Sequence, residues 1–169
     1  MNFSLPSADK DPMGAAIADY YNLHKAGRLR VFSSLFDEDE IPVKDLFRGL
    51  KQMPVIEQTA LQMAEGKILD VGAGSGCHSL ALQEMNKEVC AIDISALSVE
   101  VMKKRGVKDA RLVNLFDATF HEQFDTILLL MNGSGIIGKI ENLPIFFQTM
   151  KRLLRPGGCI LMDSSDLRY

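Results

Sequence analysis

The chain has no tryptophan, and its three cysteines, Cys77, Cys90 and Cys159, stand far apart along 169 residues. An odd, scattered set excludes a disulfide framework and supplies no C-x-x-C metal pair. A basic surplus is also missing. The 19 Lys and Arg face 22 Asp and Glu, a formal net charge of −3, so no generic nucleic-acid surface is expected. No apolar run approaches the length that crosses a bilayer. The opening residues MNFSLPSADKDPMG lack the basic and apolar segments of a secretory signal. These absences lead us to expect a reduced, cytoplasmic setting, with neither a membrane nor a metal as partner. What remains is ordinary for one well-packed core, with 47% hydrophobic and 24% charged residues.

The most informative stretch runs from Ile68 to Leu80. An apolar strand carries an acid, Asp70, near its end; Gly72, Gly74 and Gly76 follow at alternate positions, and a helical pattern starts at once. Glycines packed so densely let the backbone turn sharply and lie close to a ligand that a Cβ would exclude. A second strand, Val89 to Ile92, leads to Asp93, seventeen residues past Gly76. An acid in that place suits the two hydroxyls of a ribose.

Spacing removes two familiar alternatives. The dinucleotide fingerprint G-x-G-x-x-G, counted from Gly72, needs a glycine where Cys77 stands, and the phosphate loop needs glycine and lysine where Cys77 and His78 stand. Charge agrees. Asp70 would repel a pyrophosphate seated on the helix N-terminus, whereas an ammonium and a sulfonium would be attracted. The residues therefore favour S-adenosylmethionine over NAD.

Around this stretch the pattern predicts a loose arm over 1–12, a helix over 13–25 and a solvated loop at the acidic run 37–40. A helix over 54–65 is expected to bury Ile56, Ala60, Leu61 and Ala64. Strands are expected at 67–71, 88–92, 111–115, 124–131 and 159–162. Helices are expected at 78–86, 95–104 and 144–154, with Pro156-Gly157-Gly158 as a turn. Alternation of this kind implies an α/β fold: a three-layer αβα, Rossmann-like arrangement around a mostly parallel sheet with right-handed crossovers.

With these residues in place the chain resembles the class I S-adenosylmethionine-dependent methyltransferases. The matching stretches are ILDVGAGSGCHSLAL (68–82), VCAIDIS (89–95), LFDA (115–118), FDTILLLMNG (124–133) and LLRPGGCILMDSSD (153–166). The resemblance implies a helical leader over 1–65 and a cofactor-binding core over 66–169. It places Asp70, Gly72, Ala73, Gly74 and Gly76 along the methionine part, with Asp70 near the amino group. Asp93 would take the ribose hydroxyls, and Ile94 would pack on adenine. Asp117 would accept the adenine amino hydrogen, with the Ala118 amide beside the ring. Met131 and Asn132 would lie near the sulfonium and the acceptor. No residue is singled out as a general base.

The family core usually continues past its fifth strand, so the resemblance also implies a C-terminally incomplete core. Its exposed edge strand would be a route to a homodimer. Asn132-Gly133 does not match the N-P-P-Y or D-P-P-Y element of enzymes acting on nucleic-acid bases, which points to a small-molecule acceptor. Three other readings stay open at this stage: a non-catalytic cofactor-binding or assembly module, a nicotinamide-dependent oxidoreductase and an aminopropyltransferase.

Overall fold

Short runs rich in Ile, Leu and Val, each followed by a helical pattern, build a parallel sheet in the computed structural model, which describes residues 5–25, 27–32 and 37–164. In chain order come α1 (Pro12–Leu23), β1 (Leu29–Val31), β2 (Asp39–Ile41), α2 (Val55–Met63), β3 (Lys67–Val71) and α3 (Cys77–Glu84). They are followed by β4 (Glu88–Asp93), α4 (Ala96–Arg105), β5 (Ala110–Leu112), β6 (Phe124–Leu129), α5 (Leu143–Leu153) and β7 (Leu154–Met162). Strands β1 and β2 form an antiparallel pair, and the other five form one sheet in the order β5-β4-β3-β6-β7, every pair parallel.

This order decides where a ligand can sit. The chain runs outward from β3 through β4 to β5, then returns to place β6 on the other side of β3. The crossover connections after β3 and β6 therefore leave toward opposite faces, and a crevice opens at their carboxyl ends.

The central strands β3, β4 and β6 are buried on both faces, as parallel strands under helices must be. On one face Leu69, Val71, Ile127 and Leu129 pack with Phe146, Met150 and Leu153 of α5. On the other, Ile68, Val89 and Leu128 pack with Leu61, Ala64 and Leu82. A third cluster, of Ala16, Ile17, Val43, Leu46 and Val101, docks α1 and the turn Val43–Phe47 after β2 onto α4.

Four local expectations change. Along α2, Ile56 is 62% exposed and Glu57 is buried instead. The inward stripe at 57, 60, 61 and 64 keeps helical spacing, and Glu57 can join it because Arg48 and His78 reach its carboxylate. Part of the acidic run is strand rather than loop, with Arg28 Nε 2.6 Å from Glu40 and Arg30 Nη1 3.3 Å from Glu38 across the pair. β5 ends at Leu112, which frees Val113 to Phe116 to turn into the crevice. Finally, Pro156-Gly157-Gly158 lies within β7 as an irregularity: pairing jumps from Phe124↔Leu154 to Thr126↔Cys159. A Cβ on Gly158 would stand 2.9 Å from the Asp125 carbonyl oxygen, so glycine lets the bulge close on β6.

Candidate functional site

The turn after β3 is built from backbone that only glycine adopts freely. Gly72 has φ 68 and Gly76 has φ 81. At Gly76 a Cβ would also meet Val107 Cγ2 at 2.7 Å, so this glycine seats the start of α3 against α4. Gly72 and Ala73 both donate their N–H groups to the Ile92 carbonyl, at 2.9 and 3.1 Å. That contact ties the turn to the neighbouring strand. Ser75 fastens it from the other side. Its hydroxyl donates to the Leu46 carbonyl, and Arg105 Nη1 donates to its carbonyl and hydroxyl oxygens at 2.6 Å. The Arg105 guanidinium lies 4.7 Å over the Phe47 ring.

Two carboxylates stand at adjacent strand ends. Asp70 is 2% exposed, and its Oδ2 accepts the Ser79 hydroxyl at 2.6 Å. Burial raises its pKa, an effect that His78 and the bonds from Ser79 only partly oppose. Asp93 accepts the Gly74 N–H on Oδ2 and the Ser95 N–H on Oδ1, both at 2.8 Å. Burial raises this carboxyl too; the two amides pull it back, and the charges of Asp11 and Asp70 push it further up. Both acids thus sit where an incoming cation is favoured.

A relay of hydrogen bonds joins Asp93 to α1. The Ser95 hydroxyl caps α4 by accepting the Ser98 N–H at 3.0 Å, and donates to Asp11 Oδ2 at 2.5 Å. Asp11 Oδ1 in turn caps α1 through the Gly14 N–H at 2.9 Å. Below Asp70, Glu57 faces His78 Nε2 at 2.8 Å and accepts Arg48 Nη2. Burial works to raise the Glu57 pKa, yet the bonds and charges of His78 and Arg48 prevail and lower it.

These elements enclose a cleft with two adjoining lobes. One, of about 300 Å³, is walled by Ile92, Ile94, Val113, Asn114, Leu115, Phe116 and Ile136. The other, of about 430 Å³, is walled by Asp11, Ile17, Asp70, Ala73, Gly74, His78 and Met131. Val71, Gly72, Asp93 and Ile94 line both.

Asp70, Gly72, Ala73, Gly74, Asp93, Ile94 and Met131 are therefore brought together. Among the described residues, Gly76, Asp117, Ala118 and Asn132 line neither lobe. Asp117 is exposed, and its Oδ1 accepts both the N–H and the hydroxyl of Thr119 at 2.8 Å, bonds that lower its pKa. Asn114, Leu115 and Phe116 stand at the wall instead. Asp11, Ser75 and Arg105 escaped the reading of the sequence. The acid before Pro12 was a visible helix start, but nothing local links Arg105 to the glycine turn.

A doubly wound parallel sheet with a glycine turn and an acid on the next strand defines a Rossmann-like nucleotide-cofactor fold. Within that class the chain belongs to the methyltransferase domain family, whose model matches residues 69–162. A S-adenosylmethionine-dependent methyltransferase from Bacteroides fragilis, solved in complex with S-adenosyl-L-homocysteine, is 76% identical, with a TM-score of 0.95. The match covers 100% of this chain and 70% of that one. The cypemycin N-terminal methyltransferase of Streptomyces sp. is 29% identical over 140 residues, 79% of this chain and 57% of that protein. The mitochondrial ubiquinone biosynthesis O-methyltransferase of Schizosaccharomyces pombe is 24% identical over 102 residues, 58% of this chain and 37% of that protein. The chain thus spans about half, or less, of the length of these two curated relatives.

Proposed function

We propose that this chain binds S-adenosylmethionine in the two-lobed cleft and directs its methyl group to a small-molecule acceptor. The observation that carries the reading is a pair of acids flanking the glycine turn, the buried Asp70 in the larger lobe and the half-buried Asp93 where the two lobes meet. The solved relative that is 76% identical holds S-adenosyl-L-homocysteine, the same ligand without the methyl group.

The residues fit that cofactor. Each Asp93 oxygen spends one acceptor site on a backbone amide and retains another, enough to take one ribose hydroxyl each. Ile94, Val113, Leu115 and Phe116 offer the smaller lobe an apolar wall for adenine and keep water from it. Gly72 lacks a side chain where both lobes meet. Asp70 supplies the negative charge that an ammonium group needs. Among the described residues Lys10 is the one Lys or Arg lining either lobe, against Asp11, Asp70 and Asp93. A pyrophosphate would find little there, which favours this cofactor over a nicotinamide dinucleotide.

When bound, the cofactor supplies an electrophilic methyl group on sulfur. The chain's own work is alignment and exclusion of water. Met131 and Asn132 flank the end of the Asp70 lobe, where the acceptor would approach. Reading of adenine is assigned to residues 114–118, with Asp117 and Ala118 reaching its amino edge once Asp117 releases Thr119. Residues 1–65 serve as the cover, since Asp11, Ile17 and Leu46 reach the larger lobe, and residues 66–169 as the cofactor-binding core.

The test is incubation with methyl-labelled S-adenosylmethionine and a fractionated metabolite pool, with peptides bearing a free N-terminal amine as a second arm. Label in a small-molecule fraction supports the proposal. Label in peptides alone would replace the acceptor class, and firm cofactor binding with no transfer would favour a non-catalytic module.

A further inference from the structure

Asp163 follows β7 directly, and its carboxylate serves a neighbouring loop. Oδ2 accepts the Met131 N–H at 3.0 Å, and Oδ1 accepts the Gly133 N–H at 3.1 Å. The Asp163 main chain completes the clamp: its N–H donates to the Leu129 carbonyl at 3.2 Å, and its carbonyl accepts the Ser134 N–H at 3.3 Å. Between the two carboxylate-bound amides lie consecutive non-glycine residues with positive φ, 60 for Met131 and 63 for Asn132. Such backbone persists only where the surroundings over-determine it. Here Asp163 holds the amides on either side, and the Gly135 N–H adds a bond to the Asn132 carbonyl at 2.9 Å. A carboxylate suits the task because both oxygens accept, whereas an amide of the same shape would turn an NH2 group toward one of the N–H donors.

The clamp reaches the cleft through Met131, which lines the lobe containing Asp70 and Gly72. We propose that Asp163 is a positioning residue: it holds Met131 and Asn132 in their left-handed conformation and so shapes the seat for the sulfur end of an S-adenosyl ligand. The inference rests on the reading of the cleft given above. It predicts a selective defect, because the adenosine lobe is walled by β3, β4 and residues 113–116, with Ile136 alone drawn from the turn that Asp163 holds.

The experiment compares the full chain with Asp163→Asn and Asp163→Ala, and with Asp163→Glu should those two not fold. Calorimetry measures S-adenosylhomocysteine and, separately, adenosine, which has no sulfur end; hydrogen exchange reports the Met131 and Gly133 amides. The expected result is faster exchange at both amides, about tenfold weaker S-adenosylhomocysteine binding and adenosine affinity within about twofold. Adding Asn132→Gly to Asp163→Asn should restore part of the loss, because glycine takes positive φ without support at one of the two positions. Equal weakening of both ligands, unchanged S-adenosylhomocysteine affinity, or no recovery with Asn132→Gly would each overturn the proposal. If the unsubstituted chain binds neither ligand, the cofactor reading itself fails and the ligand role of Asp163 falls with it. Faster exchange in the variants would then identify the clamp as purely structural.

Discussion

Replacing Asp93 with asparagine separates the ribose role from a merely structural one. Asp93 holds two backbone amides, of Gly74 and Ser95, and in the proposed complex would take two further hydroxyl donors. A hydrogen bond to a charged acceptor contributes about 1.5–3 kcal/mol. Asparagine forfeits one of these bonds and leaves the other neutral, a loss of about 2–3 kcal/mol, or roughly 30- to 100-fold in affinity. The folded chain should suffer much less. Asp93→Asn keeps the shape and one acceptor oxygen; its NH2 group faces one of the two backbone N–H donors, and removal of a charge that burial already disfavours offsets part of that loss. The melting temperature of the empty chain should therefore stay within about 4 °C. Calorimetry of S-adenosylhomocysteine at neutral pH, with thermal melts of the same samples, reads both quantities. A loss of affinity below about threefold with intact folding would refute the assignment. A large fall in melting temperature would show that Asp93 mainly fastens the Gly74 turn.

Three further outcomes follow from the same geometry. Glu57→Gln leaves Arg48 and His78 without their carboxylate, so unfolding free energy should fall by about 3 kcal/mol in denaturant titration; a fall below about 1 kcal/mol would contradict a structural role for that pair. Gly76→Ala combines a φ of 81 with a Cβ only 2.7 Å from Val107 Cγ2, and should lower the melting temperature by several degrees and weaken ligand binding, whereas unaltered melting would refute the close-packing argument. The third outcome concerns pH. Asp70 and Asp93 have raised pKa values in the folded chain, so the folded state takes up protons before the unfolded state does as pH falls. Their contribution to the stability of the empty chain then grows on acidification. The ligand's ammonium and ribose hydroxyls require the ionised carboxylates, so S-adenosylhomocysteine affinity should decline from neutral pH to about pH 5; a flat profile in calorimetry would contradict it.

The parts of this fold that were legible in the sequence obey local rules. Gly72, Gly74 and Gly76 announce a turn that side chains would obstruct, and Asp70 and Asp93 end strands whose apolar runs mark them plainly. Ser95 and Gly106 bracket α4 through capping chemistry that needs no distant partner. What escaped depends on residues far apart in the chain. Glu57 fell outside the expected buried set because Arg48 and His78, which make its burial tolerable, are brought to it only by tertiary packing. Asp163 received no role because its partners lie some thirty residues earlier. Asp117 shows the opposite competition. Its carboxylate is engaged by the local turn bonds to Thr119, and Asp117 lines neither lobe. The bulge at Pro156-Gly157-Gly158 looked like a turn because those residue types make turns wherever no neighbouring strand captures them.

A crystal structure of the chain with S-adenosylhomocysteine bears most directly on the two-lobed reading. It should place adenine in the smaller lobe beside Ile94 and Leu115, both ribose hydroxyls on Asp93, and the amino group toward Asp70 with the sulfur near Met131. A ligand seated elsewhere, or one whose ribose makes no contact with Asp93, would contradict it.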